Sequence, residues 1–268
     1  MIIGAMNNPS RDVVEEIRGF ARLGLEFVDL TLEPPAAATW SVDVKAIEQV
    51  LADTGLGVVG HTAFYLPIGS PFESLRQAAR DELRRALEIL GRLRVRWVNI
   101  HADGHAPLHD ENFILQRNLD SLRTLVADAR EAGVGLMLEN TPGRFNTARN
   151  LGVMLDALPE LGLHLDIGHC HLQTEVNTAD EILQRYGSRL KHVHMHDNKG
   201  GWGDLHLPLG CGSLDSRYYV HALRRLGYDG TITLEVFTHD AHYLTYSRDK
   251  IRAWWQEPLA TVEAPAKT

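Results

Sequence analysis

Short apolar runs alternate along this chain with longer stretches whose apolar positions recur at helical spacing. The runs read IIGA (2–5), LEFVDL (25–30), LGVVGH (56–61), VRWVNIH (95–101), VGLMLE (134–139), LGLHLD (161–166), LKHVHMH (190–196) and GTITLEV (230–236). Runs this apolar, separated by amphipathic stretches, predict βα units and a parallel sheet. Helices are expected from a cap near Ser10, from a cap at Ser41 to a stop at Gly55, and from about Phe72 to Leu90. The last of these should turn Leu75, Ala79, Leu83, Ala86, Leu87 and Leu90 to one face. Further helices are expected over 111–132 with a stop at Gly133, from Thr147, from Asp215, and over 244–256. Eight such units predict a single-domain α/β fold, a (β/α)₈ barrel over 1–256, followed by a loose C-terminal tail at 257–268.

The polar residues that close these runs change the picture from fold to chemistry. Six runs carry a ligand-type side chain at, or within two residues of, their carboxyl end: His61, His101, Glu139, Asp166, His194 and Glu235, at intervals of about 27 to 41 residues. The carboxyl ends of barrel strands share one mouth, which is where such barrels build active sites. His169, Asp204 and His206 sit just past these ends. So many imidazoles and carboxylates in one cup would repel one another or be poorly solvated without a cation, so the chain is expected to bind metal. Glu139, Asp166, His194 and Glu235 close four consecutive strands and form the strongest group. Their mix of three oxygen ligands and one imidazole suits Mn, Mg, Co or Zn. His61 and His101 could add a second position with a bridging carboxylate, or bind substrate hydroxyls. His169, Asp204 and His206 could hold a third ion or the polar groups of a sugar.

Other residues carry less. His192, His194 and His196 alternate and so face one side of their strand. His192 reads as a satisfied core histidine and His196 as a rim residue, while His105 and His109 read as surface residues. The loop NKGGWGD (198–204) gives close backbone approach, and Trp202 could act as a lid or stack on a substrate. No nucleophile elbow, phosphate-cradling loop or dinucleotide fingerprint occurs.

Composition narrows the class further. A chain of 268 residues with 44% apolar content suits one barrel, and its formal charge of −8 gives no general attraction to nucleic acid or an anionic membrane. Two cysteines are too few for a disulfide framework, and no apolar stretch approaches the length of a membrane span. The start, MIIGAMNN, lacks a signal core, so the protein is read as cytoplasmic, with a homo-oligomer left open.

With these residues laid out, the chain resembles the xylose-isomerase-like TIM-barrel superfamily, which joins sugar isomerases and epimerases with endonuclease IV. The matches are LENT (138–141), LDIGH (165–169), HMHDNKGGWGDLHLPLGCG (194–212) and LEV (234–236). The resemblance to endonuclease IV implies up to three metal positions. These would be His61, His101 and Glu139; then Glu139, Asp166, His194 and Glu235; then His169, Asp204 and His206. The resemblance to the epimerase branch implies one metal on the central four, Glu139 and Glu235 transferring protons, and His169 touching substrate. The loops MNNPSRD and TLEPPAAATW stand where endonuclease IV carries DNA-gripping segments and offer little to a phosphate backbone. The expected function is therefore metal-dependent isomerisation or epimerisation of a sugar, sugar phosphate or sugar acid through an enediolate. Glu139, Glu235 and His169 would be catalytic, and Phe64, Trp202, His169 and His206 would bind a small sugar-like substrate. The alternative is a zinc-dependent phosphodiesterase acting on abasic DNA.

Overall fold

A computed structural model gives the fold and describes residues 1–259; the part of the expected tail at 260–268 lies outside the described residues. Eight parallel strands close into a barrel in chain order, each followed by a helix. The strands are β1 Ile2–Met6, β2 Phe27–Thr31, β3 Gly57–His61, β4 Trp97–His101, β5 Gly135–Glu139, β6 Gly162–Asp166, β7 Leu190–Met195 and β8 Thr231–Leu234. The helices are α1 Val13–Arg22, α2 Val44–Thr54, α3 Glu73–Arg92, α4 Glu111–Ala132, α5 Ala148–Ala157, α6 Ala179–Tyr186, α7 Ser216–Arg225 and α8 His242–Gln256. Among the described residues no helix is long and apolar enough to cross a membrane.

Local chemistry sets the boundaries. Asp43, Asp110, Thr147 and Asp215 cap their helices by accepting from the backbone N–H three residues on. Gly55 and Gly133 end α2 and α4 in the left-handed conformation that a side chain resists. Two caps differ from expectation. Asp12, not Ser10, caps α1, and Asp43, not Ser41, caps α2, because each places its carboxylate one residue before the first helical turn. On α3 the expected face holds except at Leu75, which stays 49% exposed. Its neighbour Arg76 is buried there instead, donating to the Ser70 carbonyl at 2.6 Å. Helix α6 is too short for its period to stand out in the polar segment that carries it.

The barrel interior is layered. Phe27, Val59 and Met137 form a small cluster of their own inside the strands, with Trp97 packed against it. Gly4 makes room for this layer, since a Cβ there would lie 2.4 Å from the Phe27 carbonyl and 2.7 Å from its ring. Above it the interior turns polar: Asp29, Asn99, His164, His192 and Thr233 are all fully buried. The larger apolar core lies outside the barrel wall, between strands and helices.

Candidate active site

The strand ends deliver the expected ring. His61, His101, Glu139 and Asp166 are the last residues of β3 to β6, and His194 is the penultimate residue of β7. Glu235 follows β8 directly, and its N–H still donates to the Met195 carbonyl at 3.2 Å. All six are buried. Parallel register at Asp166 and His194 and at His101 and Glu139 sets neighbouring side chains at one height.

Glu139 is the hub. Its Oε2 lies 2.8 Å from His101 Nε2, 3.8 Å from His61 Nε2 and 3.2 Å from His164 Nδ1, and Asn99 also donates to it. Its Oε1 lies 3.3 Å from His169 Nδ1. His194 Nδ1 lies 3.2 Å from Glu235 Oε2 and 3.8 Å from Asp166 Oδ2. Ligand atoms of His61, His101 and Glu139 fall within 4.8 Å of one another, as do those of Glu139, Asp166 and His194. Glu235 joins the centre through His194 and through a second set with Asp166, His169 and His196.

Loops bring in the outer residues. The Asp166 carboxylate accepts from the His169 N–H at 2.8 Å, folding a tight turn that returns the imidazole toward the strand that holds it. Asn140 and Asn146 clamp that turn, through Asn140 to the Asp166 backbone and Asn146 to the His169 and Leu172 carbonyls. The glycine-rich loop is organised by Asp197, whose buried carboxylate accepts from the backbone N–H groups of Asn198, Gly210, Gly212 and Leu214. That loop sets Asp204 Oδ2 3.0 Å from His206 Nε2 and 3.3 Å from His169 Nε2. His206 adopts a left-handed φ of 45°, and its Nδ1 faces the Glu235 carbonyl at 3.0 Å.

Two expectations need correction. His196 is not at the rim: it is fully buried, with Nε2 3.3 Å from Asp166 Oδ1 and 3.7 Å from Asp204 Oδ1. Beyond the end of β7 the chain turns inward to pair with Leu207, and this carries the ring beneath the loop. Trp202 is 85% exposed and does not line the mouth, because its loop is tied down on either side of it rather than folded over the cavity. Phe64 does line it, edge-on to His101 with ring centroids 6.4 Å apart. His105 also lines it, although its side chain is 77% exposed. His192 is satisfied as expected, by Asp29, Thr231 and Thr233. Asp29 and His164 went unnoticed in the sequence, and both touch the ring.

Burial opposes charge on Asp29, Glu139 and Asp166, yet the imidazoles around them hold all three carboxyls well below the usual range. Burial likewise opposes protonation of His169 and His194, but the facing carboxylates push both well above the ordinary imidazole value. His101 and His164 go the other way, pushed down chiefly by burial. The cluster thus draws in positive charge, and protons supply it when nothing else does. Asp166 Oδ2 and His196 Nε2, both buried, have no hydrogen-bond partner among the described residues. Unpaired donor atoms of this kind, among oxygen and imidazole ligands, fit a divalent cation. The mouth opens into a cavity of about 550 Å³ walled by Met6, Phe64, Phe145 and Phe237, with Arg144 and Glu33 at its edge.

A closed parallel barrel with a buried ring of imidazoles and carboxylates at its carboxyl-terminal mouth defines a class of barrels built around a candidate metal centre. The chain belongs to the xylose isomerase-like TIM barrel family, whose model matches residues 17–262. An uncharacterized protein of Methanocaldococcus jannaschii is 32% identical over 191 residues, a match spanning 63% of each chain and so just under two thirds of that relative. An L-ribulose 3-epimerase of a Methylomonas species is 27% identical over 237 residues, 84% of this chain and 78% of the relative. The crystal structure of a D-tagatose 3-epimerase-like protein superposes with a TM-score of 0.84 at 25% identity, covering 95% of this chain and 97% of that one.

Proposed function

We propose that the protein is a metal-dependent sugar epimerase that inverts a carbon beside a ketose carbonyl. The observation that carries this reading is the placement of Glu139 and Glu235 on the wall of one cavity, from strands three apart in a ring of eight. Two carboxylates facing a bound sugar from different sides can remove a proton from one face and return one to the other, which is what inversion requires. One glutamate takes the carbon-bound proton, the bonding pair moves onto the carbonyl oxygen, and the other glutamate protonates the opposite face. Glu139, Asp166, His194 and Glu235 would hold a divalent cation, which when bound supplies Lewis-acid stabilisation of charge developing on adjacent substrate oxygens. His169 and His206 reach the same cavity and would hold hydroxyls, while Phe64, Phe145 and Phe237 give it a water-excluding wall. Relatives that include a ketose 3-epimerase of Arthrobacter globiformis and the L-ribulose 3-epimerase support a ketose as substrate. The test is incubation with L-ribulose, D-tagatose and D-allulose in D₂O with manganese, cobalt or zinc. The expected result is the C3 epimer with solvent deuterium at C3; neither epimer nor exchange with any of the three would overturn the reading.

A second reading, zinc-dependent phosphodiester hydrolysis, is favoured by one observation. His169, His196, Asp204 and His206 gather ligand atoms within 4.8 Å, more than a single central cation needs. Efficient zinc-dependent cleavage of an abasic duplex at low enzyme concentration would promote it over epimerisation. Weak binding at physiological salt is expected instead, since nothing in the first two strand-end loops offsets the few kcal/mol needed to extrude a nucleotide.

A further inference from the structure

Asp29 stands in the middle of β2, fully buried, and does not line the cavity. Its carboxylate reaches across the barrel interior to β7 and β8. There Oδ2 meets His194 Nε2 at 2.7 Å, the Thr233 hydroxyl at 2.9 Å and His192 Nε2 at 3.2 Å. Burying a carboxylate costs several kcal/mol and leaves a residue of this kind dependent on the hydrogen bonds it makes. The shortest of those bonds goes to the one histidine of the central group.

That bond decides which nitrogen His194 turns toward Glu235 and Asp166. An imidazole that donates Nε2–H to Asp29 keeps its lone pair on Nδ1, and Nδ1 points between Glu235 Oε2 at 3.2 Å and Asp166 Oδ2 at 3.8 Å. A lone pair aimed between two carboxylates is repelled unless a cation, or a proton in the metal-free site, lies among them. The ring cannot readily turn away, because it is stacked on His61 at 5.6 Å and met edge-on by His164 at 4.1 Å. Metal-binding imidazoles commonly have their second nitrogen held by a carboxylate, which fixes the tautomer and the aim of the ring. The geometry points to Asp29 as a positioning residue that acts through His194 to prepare the central cation site. Thr233 and His192 hold Asp29 in turn, and Thr231 holds His192 at 2.6 Å. The inference rests on the metal-binding reading of this centre but not on the identity of the reaction.

The experiment uses the full chain freed of metal, with zinc as the probe. Zinc affinity is measured against a chromophoric chelator for the wild type and Asp29→Asn. The nitrogen-bound protons of ¹⁵N-histidine are then read by NMR in the zinc-loaded wild type. The expected result is zinc on Nδ1 of His194 with a slowly exchanging proton on Nε2, and an affinity in Asp29→Asn lowered roughly 10- to 100-fold. A variant that loses thermal stability but keeps wild-type zinc affinity would show Asp29 to be structural only and overturn the assignment. Zinc on Nε2 of His194 would do the same, and that measurement stands even if Asp29→Asn fails to fold. A wild type that binds no divalent cation overturns the site and the assignment together, whereas absent epimerase activity with intact zinc binding overturns only the reaction.

Discussion

The two ends of the barrel interior follow opposite rules. At the floor, Phe27, Val59 and Met137 fill the tube with apolar volume, and Gly4 is shaped to admit them. At the mouth, the same strands deliver mainly hydrogen-bonding and ionisable groups, and several of them, His101, Asp166 and His196 included, keep buried atoms unpaired among the described residues. Close packing rewards the floor directly, because every buried methylene adds transfer and contact energy. The mouth gains little from burial, and its groups are held in place by the strands, the clamped loops and one another. Stability and chemistry are thus stacked along one axis, and each can be disturbed with limited effect on the other.

The sharpest way to break that separation is Glu235→Gln. It keeps size and removes charge, so turnover is expected to fall roughly 10²- to 10⁴-fold, the range for a lost acid–base group. Metal affinity should fall with it, while the unfolding midpoint of the metal-free protein barely moves; full turnover and full metal occupancy would place the chemistry elsewhere. At the floor, Phe27→Ala should cost about 3–5 kcal/mol in urea unfolding through the cavity it leaves. Turnover per folded molecule should stay within a few-fold of wild type, and a loss comparable with that of Glu235→Gln would mean the layers are coupled. Metal addition should stabilise the whole chain by about 2.7 kcal/mol at a hundredfold excess over Kd, read as a concentration-dependent Tm. Asp204→Ala, out on the loop, should leave the central metal in place and lower turnover roughly tenfold. Loss of all metal in that variant would show that the sites are not separable.

The smallest effect is on pH. His169 and His194 are raised well above the ordinary value in the metal-free site. Below their raised pKa values both carry protons, and a metal ligand must be neutral. Metal affinity should therefore fall as pH drops and keep rising above about pH 6.5, the ordinary imidazole value. Chelator competition across that range, with proton release followed by calorimetry, checks the sign; a flat profile would remove His194 from the ligand set.

Much of the mouth was legible because a ligand at the end of an apolar run is a local signal. Each of His61, His101, Glu139, Asp166 and His194 closes a run that could be marked without knowing its neighbours. Asp29 and His164 were missed for a physical reason: both lie inside a run, where a lone polar residue reads as the exposed face of a strand. In a closed barrel the strands are covered on both sides, by helices outside and by one another's side chains inside. A polar residue deep within such a run, unlike Glu26 or Lys191 near the amino end, is left with the interior to point into, and that was the signal available. His196 and Trp202 were misplaced because each depends on how a loop folds back after its strand. Asp197, which ties that loop through four backbone N–H groups, gives no periodic sign of doing so.

The ring of ligands also has a consequence for the order in which the molecule is completed. His61 is on β3 and Glu235 follows β8, the strand that pairs with β1 to shut the cylinder. A nascent or partly folded chain lacking the last unit carries the His61, His101 and Glu139 group but not the central four. Full cation binding is thereby tied to ring closure, so an ion taken up at the centre reports a finished barrel and helps to lock it shut.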